Sequence, residues 1–264
     1  LFPLQFSSAM SASFYTKPAN NGNAGVAMET SWDSNPGRQR TLQPITTGAS
    51  VLAIKYNAGV IMVADTLGSY GSLAKFRSIP RVLRVNDATV AAASGDLADM
   101  QFLNTVVENH AIDEEIHEHG IAYSPASLHS WLTRVMYNRR SRINPLWNTY
   151  IVAGTEAGQP FLGYVNMLGV AFKEDCLATG FGSHLCLGLL REALDAAGGY
   201  AGLTEETATS ALEACLRVLY YRDCRAYNQY QLANVPVAKP AQVSGPHFLQ
   251  SDWSVAKLVK HYTE

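Results

Sequence analysis

The order of the predicted elements places this chain in the α+β class, with two stacked antiparallel sheets between outer layers of helices. Strands, two helices, strands, two helices and strands follow one another along the sequence. Alternating strand–helix–strand units are absent, which argues against a doubly wound parallel sheet. Hydrophobic residues make up 47% of the 264 residues, enough for a full-sized core.

The first 48 residues are predicted to be an extension rather than a domain. They are rich in Ser, Asn, Gly, Ala, Thr and Pro and have few apolar runs, so burial cannot offset the entropy cost of ordering them. The first residues of the sequence lack a basic region followed by an apolar core, and we do not interpret them as a secretory signal. We expect one folded domain over residues 49–245 and a tail over residues 246–264.

Two hairpins open the domain. VLAIKYN (51–57) and GVIMVAD (59–65) are short, continuously apolar runs, typical of strands covered on both faces, and they meet at a tight turn. RVLRV (81–85) and TVAAAS (89–94) predict a second hairpin around Asn86.

Two helices follow the second hairpin. The first covers about 96–118 and carries an apolar face formed by Leu97, Met100, Leu103 and Val107. The second starts with Ser124 as N-cap and Pro125 as its first residue. Its apolar positions follow helical spacing: Leu128, Trp131, Leu132, Val135 and Met136.

The second half repeats this order. Strands are predicted over 148–155, 160–165, 169–173, 176–180, 230–235 and 241–245. One helix covers about 182–197 and stops at two glycines, and another runs from Thr204 to about Arg222. The tail is a short amphipathic segment with Trp253, Val255, Leu258 and Val259.

Charge and cysteine content exclude some function classes. A net charge of −2 and a pI near 6.4 give no general attraction to nucleic acid or anionic membranes, so neither is an expected partner. No apolar run approaches the ~20 residues that span a bilayer. The four cysteines show no paired spacing, which indicates free thiols in a reducing compartment, cytosol or nucleus.

Three local patterns suggest chemistry only weakly. The first is an acidic and histidine-rich stretch that either binds a metal or is a solvated helix face: His110, Asp113, Glu114, Glu115, His117, Glu118 and His119. GFGSHL (180–185) begins like a dinucleotide loop but lacks its third glycine, so a strand-to-helix turn is favoured. An arginine cluster near residue 140 suits a helix C-terminus or subunit contacts as well as phosphate. No cofactor is expected.

Several blocks, in one order, carry a far more specific signal. They are ITTGASVLAIKY, ADTLGSYGSLAKFR, SGD, HSWLTRVMYNRRS, NPLWN, YVNMLGV, LATGFGSH and RVLYYRD. Over about residues 41–235 the chain resembles proteasome beta subunits. The resemblance implies a four-layer αββα sandwich, the N-terminal-nucleophile hydrolase fold. Active members of that family are threonine proteases, in which the freed Thr supplies both hydroxyl and amine.

Mapped residue by residue, the resemblance implies a degenerate catalytic site. The nucleophile position falls on Ala49, after Gly48, and the lysine position falls on Arg81. An arginine stays protonated and cannot relay a proton.

The other mapped positions are mostly retained. The two aspartates match Asp65 and Asp223, the oxyanion glycine matches Gly95, and Ala226 replaces a serine. Ser50 and Thr47 are the alternative nucleophiles, but in a continuous strand Ser50 faces the other way and Thr47 lies about 7 Å upstream.

The resemblance also implies a function and partners. We expect a non-catalytic subunit of the 20S core that completes the beta ring in ATP- and ubiquitin-dependent protein degradation, in cytoplasm and nucleus. Its partners would be other alpha and beta subunits, with the first and sixth beta positions as ring neighbours. The tail would reach the opposite beta ring.

Trimming of the extension is expected between Arg40 and Thr41. It would occur in trans, since the chain lacks Thr at the self-cleavage position and a cut after arginine suits a trypsin-like neighbour. An active hydrolase using Ser50 or Thr47 and an unrelated binding module remain the alternatives.

Overall fold

The computed structural model of the chain describes residues 41–117 and 123–253. The chain divides into Leu1–Arg40 and a compact unit, Thr41–Glu264. Most of the expected extension and the tail positions Val255, Leu258 and Val259 lie outside the described residues. A strand at Thr46–Gly48 precedes the expected domain start at residue 49, and the last strand continues to Phe248.

The described elements are thirteen strands and five helices. The strands are β1 (Thr46–Gly48), β2 (Val51–Tyr56), β3 (Gly59–Asp65), β4 (Gly68–Tyr70), β5 (Leu73–Phe76), β6 (Val82–Arg84), β7 (Thr89–Asp96), β8 (Asn148–Glu156), β9 (Gln159–Val165), β10 (Ala171–Lys173), β11 (Cys176–Ala178), β12 (Gln229–Pro236) and β13 (Gln242–Phe248). The helices are α1 (Leu97–His117), α2 (Pro125–Ser141), α3 (Gly182–Leu185), α4 (Leu187–Ala196) and α5 (Glu205–Arg222).

The strands form two antiparallel sheets. The first has the order β10-β9-β8-β7-β1-β4-β5, with β6 also paired to β7, and the second has the order β11-β2-β3-β12-β13. Their inner faces share one apolar cluster that includes Val60, Met62, Val90 and Ile151. Helices α1 and α2 pack on the first sheet, and α3 to α5 pack on the second. The predicted αββα sandwich is confirmed.

The local elements follow their sequence signals. Both predicted hairpins form, as β2–β3 and β6–β7. Ser124 caps α2 through its side chain, and Thr204 caps α5 in a capping box with Thr207. The helix predicted over 182–197 is instead two helices that meet at Cys186. Strands β1, β4 and β5 were not predicted.

The chain changes sheets between β1 and β2. Gly48 pairs with Gly68 and Gly95 in the first sheet, whereas Val51 pairs with Ala64 in the second. The sequence argument treated residues 47–50 as one continuous strand, and this is wrong. The crossing places Ala49 and Ser50 between the two sheets, where neither belongs to a strand.

Candidate functional site

The predicted site residues meet where the chain crosses between the sheets. A small cleft there is lined by Ala49, Ser50, Asp65, Leu216, Leu219, Asp223, Ala226 and Tyr227. Arg81 precedes β6 and reaches into the same place, and Gly95 of β7 pairs with Gly48 directly ahead of Ala49. The structure therefore brings together all six positions that the resemblance implied.

Arg81 fills the centre of this site. Its Nε donates to Asp65 O at 2.8 Å, and its Nη1 donates to Ala49 O at 2.8 Å. Nη1 also donates to Ala93 O at 3.1 Å, and Nη2 donates to Ser50 O at 3.0 Å. Nη2 forms an ion pair with the Asp65 carboxylate as well. The residue is 1% exposed, so this charged group is a core residue that depends on these partners.

Asp65 completes the ion pair from the end of β3. One carboxylate oxygen contacts Arg81, and the other accepts from the backbone N–H of Tyr227 at 3.0 Å. Burial raises the pKa of Asp65 to about 6, and the adjacent Arg81 guanidinium acts in the opposite direction. The carboxylate is therefore ionised at neutral pH and joins the end of β3 to the loop before β12.

The backbone around Arg81 leaves it little room to move. A Cβ added at Gly48 would lie 2.6 Å from Arg81 Cδ and 2.9 Å from its Nη1. On the other side, Gln231 Oε1 accepts from the Arg81 backbone N–H at 3.0 Å. Sequence reasoning missed Gln231, which is one of three side-chain amides in β12, and no local pattern distinguishes it from the others. The guanidinium is consequently fixed by packing as well as by hydrogen bonds.

Gly95 is required by the backbone itself. Its φ is +101°, and an added Cβ would lie 2.1 Å from Trp147 O. Packing and backbone conformation therefore account for the glycine without an oxyanion role.

Asp223 closes the turn after α5. It is the C-cap residue of that helix, and its Oδ1 accepts from the backbone N–H of Arg225 at 2.9 Å. Its carbonyl accepts from the Ala226 N–H at 3.1 Å. This carboxylate therefore stabilises the turn after α5, beside the cleft.

The two alternative nucleophiles are engaged elsewhere. Ser50 is 4% exposed, and its hydroxyl accepts from the Gly182 N–H at 2.9 Å, at the start of α3. Thr47 lies within β1, paired with Ser69 and Asp96. Both residues are internal to the compact unit that begins at Thr41.

The weaker sequence patterns receive structural explanations where they are described. His110 packs against the rings of Tyr123 and Trp131, while His119 and Glu118 lie outside the described residues. Within the described ranges, no three His, Cys, Asp or Glu side chains gather as a metal site would require. Residues 180–185 form the turn from β11 into α3, with Gly180 at φ +56°.

Two further observations concern the whole described chain. Cys176, Cys186 and Cys215 are buried, Cys224 is exposed, and all four are free. None of the helices in the described ranges is long and apolar enough to cross a membrane.

Comparison with known proteins gives one consistent result. Residues 45–235 match the family described as "Proteasome subunit". "Proteasome subunit beta type-4" of Xenopus laevis is 48% identical over 224 residues, covering 85% of this chain and 91% of that protein. The Arabidopsis thaliana "Proteasome subunit beta type-4" is 39% identical over 92% of this chain and 94% of its own length. "Proteasome subunit beta type-7" of Saccharomyces cerevisiae is 42% identical over 84% and 86%.

Proposed function

The chain belongs to the proteasome subunit family, and on that premise we propose that it is a non-catalytic beta subunit of the 20S core. One observation carries the proposal: at the nucleophile position Ala49 offers only a methyl group, and the Arg81 guanidinium is bonded to the carbonyls around it. The subunit would complete the beta ring and line the proteolytic chamber without cutting.

The chemistry of the site supports this reading. Threonine-protease chemistry needs a hydroxyl nucleophile, a free amine as its base and a group able to assist proton transfer. Alanine supplies neither hydroxyl nor activated oxygen. An arginine side chain offers donors and no acceptor, and the donors of Arg81 are already used by four carbonyls and the Asp65 carboxylate. The retained Asp65 then acts as the counter-ion of a structural arginine.

An active hydrolase that uses Ser50 or Thr47 is the second candidate, and the contacts of Ser50 argue against it. The hydroxyl is buried and already accepts from Gly182 N–H, and the residue lies inside the chain without a free amine. A catalytic group that is misplaced by only about 1 Å can lose a hundredfold in rate, so a neighbouring hydroxyl is a poor substitute for one at position 49.

Assembly partners and location are part of the proposal. We propose that the chain contacts alpha and beta subunits, with the first and sixth beta positions beside it and the opposite ring at its C-terminal tail. Large exposed apolar side chains on several faces support extensive subunit contacts, among them Leu73, Leu168 and Phe248. The particle would work in cytoplasm and nucleus, in ubiquitin-dependent degradation.

The test is covalent labelling of assembled particles. Particles containing this chain are treated with a threonine-directed electrophile, and each subunit is analysed by intact mass and N-terminal sequencing. We expect label on the catalytic beta subunits, which serve as the internal positive control, and none on this chain. Label on this chain, or a mature terminus at Ser50 or Thr47, would overturn the non-catalytic proposal in favour of a hydrolase.

A further inference from the structure

Thr41, the first residue of the compact unit, is held by both its side chain and its backbone. Its hydroxyl donates to Asp99 Oδ1 at 3.0 Å, and its carbonyl accepts from the indole Nε1 of Trp147 at 2.7 Å. Thr41 is half-buried, whereas the next four residues are exposed, with Leu42 at 72% and Ile45 at 60%. The start of the unit is therefore fixed more closely than the segment that follows it.

The partners of Thr41 are themselves built into the fold. Asp99 Oδ2 accepts from the Trp147 backbone N–H at 3.0 Å, and Trp147 O accepts from the Asp96 N–H at 2.9 Å. Asp96 caps the first turn of α1 and also accepts from the Ile45 N–H at 3.0 Å. These contacts join the start of α1 and the turn before β8 to residues 41–45. Asp99 and Trp147 thus form a preorganised receptor for one residue.

The electrostatics of this receptor favour a cation. Burial raises the pKa of Asp99 and the Asp96 carboxylate adds to this, while the hydrogen bonds from Trp147 and Thr41 and the charge of Arg139 act in the opposite direction. Of the Lys and Arg residues in the described ranges, none places a nitrogen within 4 Å of Asp96 or Asp99. A positive group added beside Asp99 would therefore be stabilised by a partly desolvated carboxylate.

We propose that Asp99 and Trp147 form the anchor for a new N-terminus at Thr41. Hydrolysis of the bond between residues 40 and 41 adds the hydroxyl of water to the carbonyl carbon of Arg40 and a hydrogen to the nitrogen of Thr41. The freed amine becomes an ammonium at neutral pH. That nitrogen is three bonds from the hydroxyl that already contacts Asp99, so the same carboxylate can hold both groups.

This anchor protects the new end of the mature chain against further trimming by exopeptidases. Trimming further downstream would remove the only residue that both Asp99 and Trp147 hold, and the exposed residues 42–44 have no equivalent receptor in the described structure. The inference rests on the proposed function in one respect: the assembled particle supplies a protease that cleaves after arginine. Asp99 and Trp147 are positioning residues and take no part in the hydrolysis.

The first test is the N-terminal sequence of this chain in assembled particles. We compare Asp99→Asn with Glu115→Gln, an exposed acid on the same helix, and Trp147→Phe with Trp131→Phe. Loss of one hydrogen bond to a charged group corresponds to about a tenfold loss of occupancy. We therefore expect a uniform Thr41 start in wild type and both controls after the particles are incubated with an aminopeptidase, and additional starts at residues 42 and 43 in Asp99→Asn and Trp147→Phe.

A second readout separates the anchor from general folding effects. The carboxylate of Asp99 should raise the pKa of the Thr41 amine, so that labelling of this amine at pH 7 is roughly tenfold slower in wild type than in Asp99→Asn. Thr41→Val should give additional starts, as Trp147→Phe does, because it removes the hydroxyl that contacts Asp99. Thr41→Ser keeps a hydroxyl and should keep the uniform start at residue 41. If Asp99→Asn prevents assembly, Trp147→Phe and Thr41→Val decide whether the anchor exists.

Uniform Thr41 starts in all variants, with an unchanged amine labelling rate, would overturn the anchor. That result would leave the non-catalytic proposal intact. A chain that begins at Ser50 or Thr47 and takes up the electrophile would contradict both.

Discussion

At the scale of single residues, Arg81 shows how a charged side chain can serve as part of the core. The arginine is longer than lysine and carries a planar fork of donors, which here reach carbonyls on both sides of the crossing between sheets. Because the guanidinium and the Asp65 carboxylate are both buried, each depends on the other. Under the proposed function, arginine in place of the family's lysine removes a proton relay and adds contacts to β3 and β7, which belong to different sheets.

Arg81→Met should destabilise the folded chain by about 3–5 kcal/mol, since it leaves the Asp65 carboxylate buried without its partner. The measurement is the free energy of unfolding in urea. Arg84→Met is the matched control three residues along, because Arg84 pairs with Asp87 at the exposed surface and its loss should cost at most about 1 kcal/mol. Equal effects of the two variants would contradict a structural role for Arg81.

Ala49→Thr combined with Arg81→Lys should restore chemistry to the site. Asp65, Gly95 and Asp223 are already in place around it, so the double variant should cleave itself after Gly48 and take up a threonine-directed electrophile. Ala49→Thr alone should take up about a hundredfold less label, the usual cost of losing a positioned acid–base group. Equal labelling of the two would mean that Arg81 is not what blocks catalysis.

At the scale of elements, the sequence predicts those whose signals are local. The β2–β3 hairpin and the capped starts of α2 and α5 follow from runs of neighbouring residues, and the structure has them. Strand β1 has three residues and pairs with β4 and with distant β7, whereas the three-residue β4 pairs with β1 and with its neighbour β5. No periodicity can be recognised in three residues, and the pairings of β1 join positions that are far apart in the sequence.

Helix α2 contains a titratable residue in its contact with β9. His129 is buried, its Nε2 donates to Tyr164 O at 3.1 Å, and its ring lies against Gly163. Burial lowers the pKa of His129 and Lys173 adds to the effect, whereas the hydrogen bond to Tyr164 O acts in the opposite direction. The folded state therefore favours the neutral ring, so stability is fully present above the unfolded pKa of about 6.5 and is lost as the pH falls below it.

His129→Gln should make the folded chain less sensitive to acid, because glutamine retains a donor for Tyr164 O but does not titrate. The measurement is urea unfolding at pH 7 and pH 5, and we expect a smaller loss of stability in the variant. His184→Gln, on the far helix layer, provides the control. An equal loss in wild type and His129→Gln would assign the acid sensitivity to other groups.

At the scale of the whole molecule, the fold class was predictable but the site's geometry was not. Blocks of strands and helices identify the sandwich because each block of helices forms one outer layer, whereas the blocks of strands contribute to both sheets. The contacts that define Arg81 come from positions 49, 50, 65 and 93, and those of Thr41 come from 99 and 147. Such groups converge only after the layers stack, so the resemblance could identify the substituted residues but not their new partners.

The last described residues are fixed to α5, and this bears on how two rings would meet. Trp253 packs edge-on against the rings of Tyr220 and Tyr221 at the end of that helix. The Tyr221 hydroxyl donates to Asp252 O at 3.0 Å and accepts from the Asp252 N–H at 2.6 Å. Aromatic pairs of this kind contribute about 0.5–1.5 kcal/mol beyond their burial, so they fix the place from which the C-terminal tail departs.

Trp253→Ala should therefore weaken the joining of two half-particles while leaving each half-particle able to form. If the tail contacts the opposite ring, losing its fixed point of departure lowers the effective concentration of the tail at that contact. Native gels of cell extracts should show half-particles accumulating, as they should after removal of residues 254–264. Lys239→Ala, an exposed residue in the turn between β12 and β13, is the control and should leave the ratio unchanged. An unchanged ratio of half-particles to full particles in Trp253→Ala, together with accumulation of half-particles after the truncation, would mean that the tail acts without the contacts of Trp253 with α5.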